Sequence, residues 1–382
     1  MPKSRQIVLQ LFVLVFLVSA IALLAKIEPR PSQPLSSATS TQPAAVAAAP
    51  HETASSTPAL PESQKPTEHA ATSTVKTAQQ SQNTTSSTPE ATRVDNAYAE
   101  PPMSFDAINR DTRAALVNIF CTPHGGTLHP ISGSGVIIDS DGVILTNAHV
   151  AQYVLLSETS DVNLTCSIRM GSPATALYRA QVLYIPKVWV DAHAAEINDA
   201  HPLGTGEHDY ALLRIVGTVN GTALPSSFPA IQPDTREAIA FVDDSVLGAS
   251  YPAEFSAGSV QSSLYPVSSI TQINKLFTFG SGTVDVISIG SAIEAQSGSS
   301  GGPIVNAWER LVGIITTTSE GATTAERQLR GVTLSYIERD IAVQTGTSLE
   351  TLLSGDTFAK SADFTRNQAA GLIETYIPYL AQ

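Results

Sequence analysis

Three regimes of apolar and polar positions follow one another along the chain. The first is residues 7–25, IVLQLFVLVFLVSAIALLA, which run for 19 residues without a charge, behind Lys3 and Arg5. A helix of that length spans roughly 28 Å at 1.5 Å per residue, close to the hydrocarbon thickness of a bilayer. The pattern predicts a transmembrane signal anchor or signal peptide over 7–25, after a short basic N-terminus at 1–6. Ala20-Ile21-Ala22 has the small-x-small form of a cleavage site, but Leu23 and Leu24 continue the apolar run, which favours an uncleaved anchor. Lys26 and Arg30 balance Lys3 and Arg5, so the positive charges do not set an orientation.

The second regime, residues 26–103, is built from Ser, Thr, Pro, Ala and Gln, with few large apolar residues. Such a stretch buries too little apolar surface to offset its ordering entropy, and it reads as a disordered linker. The third regime starts near Thr112 and consists of short strand-like runs between turn residues. Expected strands are 114–121, 133–138, 143–146, 162–168, 180–185, 210–216, 238–242, 276–279, 284–289, 303–306, 311–317 and 331–335. The Asp139-Ser140-Asp141-Gly142 turn between two β-branched runs is a hairpin signature. Helical periodicity is missing until 363–380. The organisation expected is therefore one all-β domain over 104–347, followed by a C-terminal helical segment at 348–382.

Composition narrows the function. The net charge is -13, and no Lys/Arg-rich run follows the first few residues, which argues against a nucleic-acid partner. The two cysteines, Cys121 and Cys166, form no CxxC, and two thiols make a poor zinc site; they read either as buried thiols or as one disulfide. No cofactor is called for.

Three local motifs carry chemistry. They are Thr146-Asn147-Ala148-His149 at the end of the hairpin, His208-Asp209-Tyr210-Ala211-Leu212-Leu213 at the start of an apolar strand, and Gly298-Ser299-Ser300-Gly301-Gly302-Pro303. A serine hydroxyl needs a base to take its proton, and histidine titrates near neutrality. A carboxylate on the other ring nitrogen fixes the tautomer and stabilises the imidazolium that forms. Backbone N–H groups from 298–300, Gly298, Ser299 and Ser300, supply donors for a developing oxyanion, with Gly298 giving the backbone freedom to turn. Each motif alone has an ordinary structural reading. Together, in the order His149, Asp209, Ser300 and 60 and 91 residues apart, they point to a catalytic triad.

On these segments, and on LVGIITTT (311–318) and GVTLSYIERDI (331–341), the chain resembles trypsin-like serine proteases, most closely the HtrA/Deg group, over about 112–345. The resemblance implies a chymotrypsin-like double β-barrel with His149 and Asp209 in the first barrel and Ser300 in the second. It implies a substrate cleft walled by Ile315, Thr316 and Thr317, and protein or peptide substrates. It also places the strands of Cys121 and Cys166 side by side, which favours the disulfide. Two departures stand out. About 35 residues follow position 345, too few for the PDZ domain usual in that group. Ser299 stands where digestive trypsins carry the aspartate that pairs with a new N-terminus, so zymogen-type activation is not expected.

Glu294 lies six residues before Ser300, where trypsin-like enzymes place the base of the specificity pocket, although a solvated loop carboxylate is the preferred reading. His193, His201, Glu207 and His208 cluster in sequence but read as loop neighbours rather than metal ligands. Ile373, Tyr376, Ile377, Tyr379 and Leu380 should pack a C-terminal helix on the second barrel, with a homo-oligomeric (trimer) contact as the alternative. The functional expectation is a serine endopeptidase of the cell envelope, membrane-anchored by a single pass with its protease domain extracytoplasmic. A secreted or periplasmic form would follow signal cleavage. The competing class is a catalytically silent, peptide-binding relative on the same anchor; an esterase is disfavoured because no GxSxG elbow occurs in an α/β pattern.

Overall fold

Asp139 starts the first hairpin as its turn chemistry dictates. Its carboxylate accepts from Asp141 N–H at 2.8 Å and its carbonyl from Gly142 N–H at 2.9 Å. The turn joins strand β2 (Ile131–Asp139) to β3 (Val143–Thr146). In this computed structural model the described residues are 92–380, without 200–203, 254–262, 281, 292–295 and 319–327, and with the backbone alone at 317–318. The anchor expected at 7–25 and most of the linker lie outside them. Among the described residues no helix is long and apolar enough to cross a membrane.

Six strands close a barrel in the order β1-β2-β3-β6-β5-β4. The remaining members are β1 (Leu116–Pro123), β4 (Leu164–Met170), β5 (Thr175–Tyr184) and β6 (Ala211–Thr218). β4 closes the barrel against β1, and there Cys121 and Cys166 face each other in register and form a disulfide. Val117, Ile119, Val136, Ile144, Leu212 and Leu213 are fully buried in this half. Each such side chain contributes about 1.5–3 kcal/mol of burial.

The second half is a seven-stranded sheet in the order β8-β7-β11-β12-β13-β10-β9. Its strands are β7 (Ser245–Ser250), β8 (Val267–Gln272), β9 (Lys275–Phe277), β10 (Val286–Ser288), β11 (Pro303–Asn306), β12 (Leu311–Thr318) and β13 (Leu329–Thr333). Only Ile273 and Asn274 separate the two edge strands β8 and β9 in sequence, so the sheet curls back on itself. Its ladder does not close among the described residues. The all-β class therefore holds, but the second expected barrel is a curled sheet.

Several elements depart from the sequence expectations. Helix α1 (Phe105–Ala115) is capped by Ser104 Oγ, so β1 starts two residues later than the expected strand. Helix α2 (Ala148–Leu156) follows β3 directly, and every residue in it except His149 is buried. A helix buried on nearly every face shows little amphipathic period, which hides it from pattern reading. Helix α3 (Lys187–His193) leads into a single 3-10 turn, Ala194–Glu196. Thr333 ends β13 and caps α4 (Leu334–Thr345) by accepting from Tyr336 N–H, so Ser335 is helical rather than extended. The strand expected at 238–242 is a loop. Asp244 accepts there from Phe241 N–H at 2.9 Å, and the strand starts only at Ser245.

The C-terminal segment is helical, as α5 (Leu349–Leu353), α6 (Thr357–Phe364), a π turn (Thr365–Ala369) and α7 (Ala370–Leu380). It packs on the first barrel, whereas the sequence pattern places it on the second. Arg214 Nε of β6 donates to Thr357 Oγ1 at 2.9 Å, Thr365 Oγ1 donates to Glu158 Oε2 at 2.7 Å, and Asn198 Nδ2 donates to Tyr379 O at 2.8 Å. The linker expected to reach residue 103 also stops earlier. Tyr98 stacks on Trp308 with ring centroids 4.7 Å apart, and Met103 N–H donates to Ala307 O at 2.8 Å.

Candidate active site

His149 is the second residue of α2, and β3 delivers it there. The helix cap Asn147 accepts no bond from the helix N–H groups, and its side-chain amide donates to Asp209 O at 2.8 Å. This bond ties the histidine-bearing turn to the segment that opens β6. The Asp209 carboxylate is buried, and three donors meet it. His149 Nδ1 lies 2.8 Å from Oδ2, His149 N–H donates to Oδ1 at 3.0 Å, and Thr316 Oγ1 donates to Oδ2 at 2.8 Å. Burial alone would push Asp209 up, but the His149 charge and these hydrogen bonds override it and hold the carboxyl below its usual range. Burial likewise disfavours a charged His149, and the attraction of Asp209 outweighs it, so the imidazole is raised above its ordinary 6.5.

Ser300 sits at the end of the loop before β11. Its loop is pinned to the first barrel by one residue, Ser134. Ser134 N–H donates to Ser300 O at 2.7 Å, and Ser134 Oγ donates to Gly298 O at 2.7 Å while accepting from Tyr251 N–H at 2.9 Å. Gly301, at φ +84°, passes so close that a Cβ there would lie 2.1 Å from Ser134 O. Only glycine permits that approach.

Of the three N–H groups expected as oxyanion donors, one is engaged elsewhere. Ser299 N–H is directed back to Gln296 O at 3.2 Å, because the chain turns at Gly298 with φ +94°. The N–H groups of Gly298 and Ser300 donate to no group among the described residues and remain open. The Ser299 hydroxyl is also turned inward, 2.9 Å from Ser250 Oγ.

His149, Asp209, Gly298, Ser299, Ser300, Ile315 and Thr316 all line one cleft of about 550 Å³. Among the residues expected at the pocket, Ile315 and Thr316 are thus placed in the cleft. Thr317 pairs with Arg330 through its backbone, and Glu294 lies outside the described residues. The His/Glu cluster is split. His193 lies 3.0 Å from Glu196, His208 lies 2.9 Å from Asp340, and His201 is outside the described residues. Among the described residues no group of three or more His, Cys, Asp or Glu side chains is gathered as metal ligands would be.

Sequence reading missed Ser134 and the hydroxyl role of Thr316. The first stands in the quoted GSGVIID run and the second in LVGIITTT, but neither has a charge or a spacing that distinguishes it from a strand residue.

The arrangement is a hydroxyl, an oriented imidazole, a buried carboxylate and two open N–H donors in one cleft. It has the parts for nucleophilic acyl transfer. Residues 133–314 match the family model of the trypsin-like peptidase domain. No curated protein matches the chain. Among solved structures, a serine endoprotease from Yersinia pestis matches at 20% identity over 66% of this chain and 68% of that one, with a TM-score of 0.40.

Proposed function

We propose that the chain is a serine-type endopeptidase that works through His149, Asp209 and Ser300, a reading supported by the match of residues 133–314 to the trypsin-like peptidase domain. In this reading Ser300 Oγ attacks the scissile carbonyl carbon while His149 Nε2 takes its proton. Asp209 holds the ring through Nδ1 and stabilises the imidazolium. The oxyanion accepts from the N–H groups of Gly298 and Ser300. Collapse breaks the C–N bond as His149 returns the proton to the leaving amine, leaving an acyl-enzyme. A water molecule, deprotonated by the same ring, then releases the acid and restores Ser300.

The observation that carries this reading is the His149–Asp209 contact of 2.8 Å in the cleft that Ser300 also lines. A fluorophosphonate probe tests it. Labelling of the wild type, absent in Ser300→Ala, is the expected result. An unlabelled wild type would instead favour a silent peptide-binding module.

The biological setting extends the proposal. The apolar run at 7–25 anchors the chain, and the polar linker holds the protease at a distance on the extracytoplasmic side, where it processes or clears envelope proteins. The Cys121–Cys166 disulfide is consistent with an oxidising compartment. Alkaline extraction of membranes is the check: an anchored enzyme stays with the bilayer, and a secreted or periplasmic one is released.

A further inference from the structure

The two chain neighbours of Asp209 both hang on a single carboxylate. His208 Nδ1 lies 2.9 Å from Asp340 Oδ2, and Tyr210 OH donates to the same oxygen at 2.9 Å. Asp340 is buried on α4, the helix that follows the last strand of the second sheet. One turn earlier on that helix, Tyr336 OH accepts His208 N–H at 2.9 Å. The helix thus grips the chain on both sides of Asp209 while touching neither His149 nor Ser300.

The turn it grips is one that local forces do not favour. His208 has φ +57°, a left-handed conformation that a side chain makes costly. Only short-range bonds hold the turn from within, Asp209 N–H to Gly206 O at 3.2 Å and Tyr210 N–H to His208 O at 3.0 Å. A non-glycine residue stays in such a conformation only where its surroundings over-determine it. Here those surroundings are Asp340 and Tyr336.

We propose that Asp340 is a positioning residue for Asp209, acting through His208 and Tyr210. The proposal rests on the triad reading above. Facing Asp340 are His208, Tyr210 and Gln344, whose Nε2 donates to Oδ1 at 3.5 Å, with the Tyr184 and Tyr336 phenols also within its field, and Glu207 Oε1 lies 3.9 Å from the far nitrogen of His208. Burial would push the Asp340 carboxyl up, but the bonds from His208 and Tyr210 hold it down, so it is an anion with two donors. A tyrosine hydroxyl alone is satisfied by any carbonyl. A buried carboxylate shared with the residue on the other side of Asp209 fixes the direction of the whole turn.

The test compares wild type, Asp340→Asn and His208→Asn by steady-state kinetics across pH, with thermal unfolding measured in parallel. Asparagine at 208 tolerates the left-handed backbone and removes only the imidazole anchor, so that variant folds even if Asp340→Asn does not. The expected result is a kcat lower by about ten-fold with KM within roughly two-fold, as for a misaligned catalytic group. The acid limb of kcat/KM also moves to lower pH, because a displaced Asp209 no longer holds up the proton affinity of His149. Folded variants with a lowered melting temperature but an unchanged kcat and acid limb would overturn the positioning role and leave Asp340 purely structural. A wild type without Ser300-dependent probe labelling overturns the triad reading and this role together. A labelled wild type with two unaffected variants overturns this role alone.

Discussion

The Asp209 carboxylate is buried, yet it stays charged because three donors converge on it, and that balance fixes the behaviour of His149. The imidazole is held above 6.5 by Asp209, and only its neutral form can take the Ser300 proton. Activity should therefore fall as pH drops through a value above that of a free histidine, earlier than an unperturbed ring would give. Stability runs the other way. A raised value in the fold means the protonated pair stabilises below the unfolded 6.5, and this contribution disappears as pH rises through the folded value. A pH profile of kcat/KM checks the first half. A limb at or below that of a free imidazole would contradict the assigned pair. Thr316→Val removes one of the three donors at nearly constant volume. A hydrogen bond to a charged group contributes about 1.5–3 kcal/mol, so the variant should lose roughly ten- to hundred-fold in kcat/KM. Unchanged kinetics would show that Thr316 only lines the cleft. That His149, Asp209 and Ser300 line one cleft was legible in the sequence, because their chemistry is unusual and their order is informative. Thr316 was not, since its bond spans 107 residues and depends on which strand comes to lie beside the triad.

Among the elements, β2 does two tasks at once. It is a barrel strand paired with β1 and β3, and through Ser134 it clasps the loop that carries Ser300. Ser134→Ala would orphan the Gly298 carbonyl and the Tyr251 N–H, both buried, at about 1–3 kcal/mol each. The melting temperature should drop, and probe labelling of Ser300 should slow at temperatures where the fold persists. Equal labelling rates would confine Ser134 to a packing role. The strand pair β1 and β4 gives a second, independent prediction. The disulfide closes a loop with a separation of 45 residues, which on the chain-entropy model stabilises by about 4 kcal/mol. Denaturant unfolding with and without reductant reads that difference directly, and coincident curves would contradict it. Strand positions were readable where turn residues bracket β-branched runs, as at 139–146. They were unreadable at β7 and β8, where SVLGAS and VSSITQ carry too few large apolar residues to register. Helix α2 escaped because it is buried on nearly every face, whereas α1 and α4 abut strands, and the start of α4 and the end of α1 were read as parts of those strands.

At the scale of the whole molecule, the segment just before α1 decides where the linker meets the domain. Composition alone extends the linker to residue 103, because averages over Ser, Thr, Pro and Ala dilute single aromatic residues. Tyr98 is the exception that matters. Its ring stacks on Trp308 and lies under Arg236, its hydroxyl donates to Asp234 at 2.7 Å and accepts from Asn306 at 2.7 Å, and burial with Asp234 pushes the phenol up to about 12. Around it, Trp308 Nε1 donates to Glu100 O and Arg236 Nη1 to Ala97 O, both at 2.8 Å, and Val94 N–H donates to Ala238 O at 3.0 Å. Residues 94–103 therefore strap the back of the second sheet, away from the cleft, since none of them lines it. A chain truncated to begin at 92 keeps the strap, and one beginning at 104 loses it, leaving Asp234 and Asn306 short of a partner. The aromatic stack and the two hydroxyl bonds together contribute about 2–4 kcal/mol. The shorter chain should thus melt roughly 3–7 °C lower. Its kcat/KM at low temperature should match that of the longer chain, because the triad contacts are untouched. Equal melting temperatures would show that the strap is only laid against the sheet. A loss of kcat/KM in the folded shorter chain would mean instead that the strap reaches the cleft through the strands it covers.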